Sequence, residues 1–206
     1  MASYQTIAEP LHVPAETING SRFITDIYPA SSDAQALAAV QRIREQYPDA
    51  SHHCWAYRLH HQNQIRSSDD GEPGGSAGRP ILAQIAGHDL FDIVIVVTRY
   101  FGGTKLGVGG LIRAYGGSAG RALDQVKTAE IHETAALEIE FSYDLTKAVD
   151  AVLRQYQLAP MNTGFDDRVR MKIHVPIESI NELKQALVQQ TSGRIQCTSQ
   201  RESGKA

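Results

Sequence analysis

IVIVVTRYFGGTKLGVGGLIRAYGGSAGR, residues 93–121, joins a β-branched run, a glycine-rich turn and a helical repeat in one uninterrupted unit. It holds eight of the chain's 17 glycines and four basic residues, Arg99, Lys105, Arg113 and Arg121, but no Asp or Glu. Phe91 to Phe101 has the composition of a central strand buried on both faces. Leu111, Tyr115, Ala119, Ala122 and Val126 then recur at helical spacing over Gly110 to Val126. Gly116, Gly117 and Gly120 inside that helix each cost about 1 kcal/mol relative to Ala, so they call for close packing against a backbone or a ligand.

Working outward, Ser21 to Tyr28 alternates like a half-buried strand, while Leu11 to Val13 is short and weak. Ser32 is placed to cap a helix, with Gln35 three residues on. Ala36, Leu37, Val40, Ile43 and Tyr47 carry its apolar face until Pro48. In the strand His52 to His60, the face bearing His53, Trp55, Tyr57 and Leu59 reads as core, and the face bearing His52, Cys54, Ala56 and Arg58 does not. Gln62 to Arg79 reads as one long polar loop, followed by a short helix from Pro80 to Gly87. From Thr134 the order restarts as strand (Ala135 to Tyr143), helix (Asp144 to Gln157), two strands (Leu158 to Gly164, Arg168 to Val175), helix (Pro176 to Gln190) and strand (Gly193 to Ser199). That is the ferredoxin-like βαββαβ order. The expected class is therefore α+β in two domains, residues 1–133 and 134–206.

The 206 residues, 42% apolar, suffice for such domains without staples. No apolar run approaches the roughly 18 residues of a membrane helix, and the N-terminus lacks the features of a signal peptide. A cytoplasmic protein with no membrane partner is expected, its Cys54 and Cys197 reduced. The net charge is −3, from 20 Lys and Arg against 23 Asp and Glu, so any positive field is local. Arg168, Arg170 and Lys172 read as the solvated outer face of a sheet.

Several chemistries fail on spacing. Gly107, Gly109 and Gly110 begin a dinucleotide fingerprint that Ile112 breaks, and there is no Walker motif. G-x-S-x-G occurs around Ser76 and Ser118, in neither case between a strand and a helix. Adjacent histidines at 52–53 and 60–61 point to opposite strand faces, and His52 with Cys54 supplies only two ligands, so neither a metal nor another cofactor is expected. The strand, glycine turn and helix instead suit an anion held by backbone N–H groups. The alternative is that the glycines serve packing while the arginines are solvated or paired with Asp69, Asp70 or Glu72.

DDGEPGGSAGRPIL (69–82) followed by VVTRYFGGTKLGVGGLIRAYG (96–116), with HHCWAY (52–57) upstream, resembles the signature of the IMPACT family, including its bacterial YigZ-like members. The resemblance extends over essentially the whole chain in layout. It implies an N-terminal domain of the ribosomal protein S5 domain 2 type, a C-terminal domain like those of elongation factor G, and a link to translation. Eukaryotic members moderate the amino-acid-starvation kinase through an extra interaction domain for which these 206 residues show no counterpart, so that role is not carried over intact.

Three functions stay open. The leading one is a non-catalytic RNA- or ribosome-binding protein that modulates translation, with a protein partner in translation control also conceivable. Its expected nucleic-acid contacts are Arg79, Arg99, Tyr100, Gly102, Gly103, Lys105, Gly109, Gly110, Arg113 and Tyr115. Tyr100 and Phe101 point oppositely on an extended strand, so at most one of them reaches RNA. The second is a Mg²⁺-dependent enzyme acting on a phosphorylated small molecule, with Asp69, Asp70 and Glu72 as ligands. The third is a protein-binding adaptor using the same loop.

Overall fold

A computed structural model describes residues 3–200. Along the chain these form β1 (Ser3–Ile7), β2 (Leu11–Ile18), β3 (Ser21–Pro29), α1 (Asp33–Gln46), β4 (His52–Arg58), β5 (Ile65–Ser68), α2 (Gly78–Gly87), β6 (Ile93–Tyr100) and α3 (Gly107–Leu123). They continue as β7 (Thr128–His132), β8 (Thr134–Phe141), α4 (Thr146–Gln155), β9 (Pro160–Phe165), β10 (Val169–Pro176), α5 (Ile180–Gln190) and β11 (Ile195–Gln200). The chain divides into two compact units, Tyr4–Ile131 and the part that begins at His132, and the class is α+β.

The first unit is built on β6. Seven of its eight residues are buried, and it occupies the centre of a five-stranded sheet ordered β2-β3-β6-β4-β5. It runs antiparallel to both neighbours, with Ile95 facing Ile27 on one side and Ala56 on the other. Ile93, Ile95 and Val97 enter a core with Ile81, Ile85, Leu111, Tyr115 and Ala119 of α2 and α3. Val94 and Val96 enter a second core with Ala36, Val40 and Ile43 of α1. A β-branched run is what such a position demands, since each fully buried Val or Ile contributes about 1.5–3 kcal/mol. The helix α1 starts where its cap was expected, with Ser32 Oγ accepting from the Gln35 N–H at 3.3 Å and Gln35 Oε1 accepting from the Ser31 N–H at 2.8 Å. The β2–β3 hairpin turns on Asn19 and Gly20, both at positive φ, the conformation a two-residue turn between twisted strands requires.

Several expectations need correction. Both faces of β4 are core, because Cys54 and Ala56 are fully buried beneath α2 and α3; small side chains there make room for the helices rather than face solvent. The polar stretch after residue 62 is not all loop, since β5 pairs with β4 through Trp55 and Ser68. A further small sheet joins β1 to β7. The helix α3 begins at Gly107, three residues before the expected start.

The second unit runs β8-α4-β9-β10-α5-β11 with sheet order β11-β8-β10-β9, every neighbour antiparallel. This is the ferredoxin-like arrangement. Val169, Met171, Ile173 and Val175 alternate inward against Val149, Leu153, Leu183 and Leu187. On the outer face a depression of about 500 Å³ lies among Glu138, Glu140, Arg170 and Lys172. Its charges pair across strands, Arg170 Nε meeting Glu140 at 3.0 Å and Arg168 reaching the same carboxylate at 3.4 Å, which is the behaviour of a solvated sheet face.

Candidate functional site

The loop between β5 and α2 carries three acids, each committed to a different anchor. Asp69 takes the Gly75 N–H on Oδ2 at 2.7 Å and the Ala77 and Gly78 N–H groups on Oδ1, both at 2.9 Å. It caps α2 from a distance, because Ala77 at the cap position has no side chain to do so. Burial pushes its carboxyl up, but those three N–H donors and the charge of Arg79 outweigh burial and hold it below the ordinary 3.8. Asp70 accepts the His53 backbone N–H at 2.7 Å and pairs with Arg44. The Asp70 carbonyl meets His52 Nδ1 at 2.8 Å, and His53 Nε2 meets the Tyr47 carbonyl at 3.0 Å. His52 and His53 are thus framework residues that clamp this loop.

Glu72 turns inward. Its Oε1 accepts from Arg99 at 2.6 Å and from the Tyr115 hydroxyl at 2.7 Å, and His52 Nε2 lies 3.9 Å away. Arg99 also donates to Ser21 Oγ at 3.1 Å, while its Nε has no partner. Both members of the pair have side chains only 5% exposed. Burial raises the Tyr115 phenol and the neighbouring Cys54 thiol well above their ordinary values, so both stay neutral. Arg99 and Tyr115 are therefore not a surface phosphate contact and a stacking ring; Glu72 consumes them internally. The Mg²⁺ reading loses its cradle for the same reason. Asp69, Asp70 and Glu72 serve backbone, His–Arg and Arg–Tyr partners respectively, and among the described residues no group of three or more His, Cys, Asp or Glu is arranged to hold a metal ion.

The glycines divide in the same way. A Cβ on Gly102 would lie 1.9 Å from the Gly20 carbonyl oxygen, so that residue exists to let two backbones touch. Gly103 and Gly107 have φ of +85° and +70° and turn the chain into α3. Gly116 and Gly120, four apart on one face of α3, lie against Pro80 and Gln84 of α2, as the expected close packing requires, whereas a Cβ on Gly117 would meet only the Arg121 side chain of the same helix. Gly109 and Gly110 lie in the first turn of α3, whose N–H groups lack intrahelical acceptors and whose cap residue, Leu106, offers no side-chain bond.

Three cations of the motif-bearing stretches remain exposed. Lys105 and Arg113 flank that first turn and Arg79 leaves the first turn of α2. None of the three forms an ion pair among the described residues, whereas Arg44, Arg58, Arg66, Arg99, Arg121 and Lys127 each meet a carboxylate. Tyr100 and Phe101 do point apart. Tyr100 donates to Asp49 at 2.8 Å and lies under Arg22, while Phe101 is 49% exposed beside α3. Ser21 and Gly20, which hold Arg99 and Gly102 from a distant hairpin, carry no signal in the sequence.

Residues 19–123, which include all of these groups, match the model of the Impact N-terminal domain, and residues 139–194 match a domain of unknown function, DUF1949. The chain belongs to the IMPACT family. It is 35% identical over 199 residues to the IMPACT family member YigZ of Escherichia coli K12, with 95% of this chain and 97% of that protein covered. The IMPACT family member YvyE of Bacillus subtilis 168 is 33% identical over 178 residues, covering 86% of this chain and 82% of its own. A crystal structure described as that of a hypothetical protein superposes with a TM-score of 0.74 at 34% identity, covering 98% of this chain and all of its own. The motif-bearing segment of the IMPACT family therefore coincides with the Asp69 cap, the Glu72 node and the exposed turn before α3.

Proposed function

We propose that this IMPACT family member is a non-catalytic RNA-binding protein that acts in the cytoplasm, engages RNA alone or within the ribosome, and so modulates translation. The observation that carries the reading is the pair of exposed cations without an ion-pair partner beside the uncapped first turn of α3, Lys105 and Arg113, in a segment free of acids, together with Arg79 exposed in the first turn of α2. In a protein whose net charge is −3, an acid-free stretch with Lys105 and Arg113 exposed and unpaired is a local positive site that phosphate would compensate. The N–H groups at Gly109 and Gly110 add donors suited to the same charge. Family membership supports the translational context. The domain shared with the family carries these cations, so the interaction is placed there.

The test is binding of a fluorescent single-stranded RNA to wild type and to Arg79→Ala, Lys105→Ala and Arg113→Ala across a salt series, with Lys147→Ala as a control outside the segment. Three phosphate contacts give a slope of log K against log salt of about −2, and each alanine lowers its magnitude by about 0.7. Co-sedimentation with ribosomal particles over the same salt series checks the larger target. Identical slopes for all five proteins, or no binding at low salt, would refute the reading.

A further inference from the structure

Between Phe101 and the first turns of α3 lies a cavity of about 230 Å³. Leu106, Val108 and Leu111 form its apolar wall opposite the Phe101 ring, and Lys105 stands at its rim. Its deep end is the buried pair Glu72 and Arg99, whose side chains are only 5% exposed. Two features there are unusual. Arg99 Nε is buried with no hydrogen-bond partner, although buried donors are nearly always satisfied. Phe101 and Val108 at the mouth are about half exposed, 49% and 53%, so an apolar slot stands open to water.

The chemistry of the slot narrows its occupant. At about 230 Å³ it falls below the roughly 300–1,000 Å³ of sites for drug-sized ligands, so it admits one ring system. The Phe101 ring and the aliphatic wall favour a flat apolar face. The charged pair Glu72 and Arg99 lines the deep end, which suits the polar edge of a heterocycle. At the rim, Lys105 and the uncapped N–H groups of Gly107 to Gly110 suit an anion next to that ring. A nucleotide combines such a ring with a phosphate. In a duplex the same ring is stacked between neighbours and its edge is paired, so only an unpaired nucleotide can enter.

We infer that this cavity takes the base of one unpaired nucleotide, stacked on Phe101 and read at its edge by Glu72 and Arg99, with the phosphate on Lys105 and the first turn of α3. The inference rests on the RNA-binding reading of the same surface and deepens it: single strands are the target class and duplex is not. A nucleotide within a strand and a free mononucleotide share this chemistry, and the experiment separates them.

Binding is measured by anisotropy with a single-stranded RNA octamer, the same octamer annealed to its complement, and an octamer carrying abasic sites. The proteins are wild type, Val108→Trp, which fills the mouth from an exposed helical position, and Phe101→Ala. Wild type should bind the single strand about tenfold more tightly than the duplex or the abasic strand, the loss of one stacked base. Val108→Trp and Phe101→Ala should each lose about that factor on the intact single strand only, with the salt slope unchanged. Thermal melts confirm that both variants are folded. If wild type binds all three RNAs alike with a steep salt slope, the cavity assignment falls and the RNA reading stands. If no RNA binds at low salt, the RNA reading falls, and titration with AMP, CMP, GMP and UMP followed by amide NMR decides the cavity. Shifts at Gly107 to Leu111 that are lost in Val108→Trp would support a free nucleotide there, and no shifts would overturn it.

Discussion

Asp69 provides the sharpest test of how the motif loop is held. Asp69→Ala removes one carboxylate from three N–H donors, those of Gly75, Ala77 and Gly78. Hydrogen bonds to a charged group contribute about 1.5–3 kcal/mol each, but the site is half-buried and water can re-enter, as at a helix cap whose loss costs about 0.5–2 kcal/mol. A loss of about 2–4 kcal/mol lies between these limits. Asp69→Asn keeps an oxygen for Ala77 and Gly78 but turns an amide NH₂ toward the Gly75 N–H, so about half that loss is expected. The pH dependence has a definite sign. The carboxyl is held below 3.8 in the folded state, so its contribution is complete above that value and disappears as pH falls through the lower folded value. Wild type and Asp69→Ala should therefore differ fully at pH 5 to 7 and converge below about pH 4. The assay is urea unfolding followed by the single tryptophan, Trp55, which is 7% exposed and packed in the α1 core, so it reports the first unit. Millimolar phosphate or sulfate should raise the midpoint of Asp69→Ala more than that of wild type, because an anion can fill the vacated N–H groups. Equal stability at pH 7, or a difference that persists unchanged to pH 3, would refute the assignment of Asp69 as a remote anionic cap.

Arg99→Ala should cost about 3–5 kcal/mol in the same assay, because it leaves the Glu72 carboxylate buried with its charge unmatched. Lys105→Ala, on the surface, should stay within about 0.5 kcal/mol of wild type. Gly102→Ala should destabilise by about 3 kcal/mol or more, since the new Cβ meets the rigid Gly20 backbone at 1.9 Å. In contrast, Gly120→Ala meets only the movable end of Gln84 at 2.8 Å and should be neutral, or gain up to about 1 kcal/mol in helix propensity. Residues 1–133 expressed alone should melt cooperatively with native Trp55 emission; an unstructured fragment would place the domain division elsewhere.

Legibility followed the range of the interaction. β6 announced itself by its β-branched run, and the second unit by period-two alternation at Val169, Met171, Ile173 and Val175, because both patterns are local. Only one face of β4 is legible as core, because Cys54 and Ala56 share the other with His52 and Arg58, and their neighbours Ile81 and Leu111 belong to later helices. β5, IRSS, has no apolar pattern and is a strand only because β4 pairs with it. At the site, the segment has no acid of its own, but the partner of Arg99 lies 27 residues upstream and that of Gly102 lies 82. A basic residue about to be buried in an ion pair looks the same in sequence as one left for a ligand.

The central place of β6 has a consequence for synthesis. β3 and β4 both hydrogen-bond to β6 and not to each other, so each keeps a bare edge until a strand made later is threaded between them. At about 5–20 residues per second, the stretch from Arg58 to Tyr100 takes seconds to emerge. Throughout that interval a nascent chain displays two adhesive edges around an unfilled slot. Collapse must await β6 and the helices that cover it, which makes the interval in which β3 and β4 stand apart the most aggregation-prone stage of this protein's life.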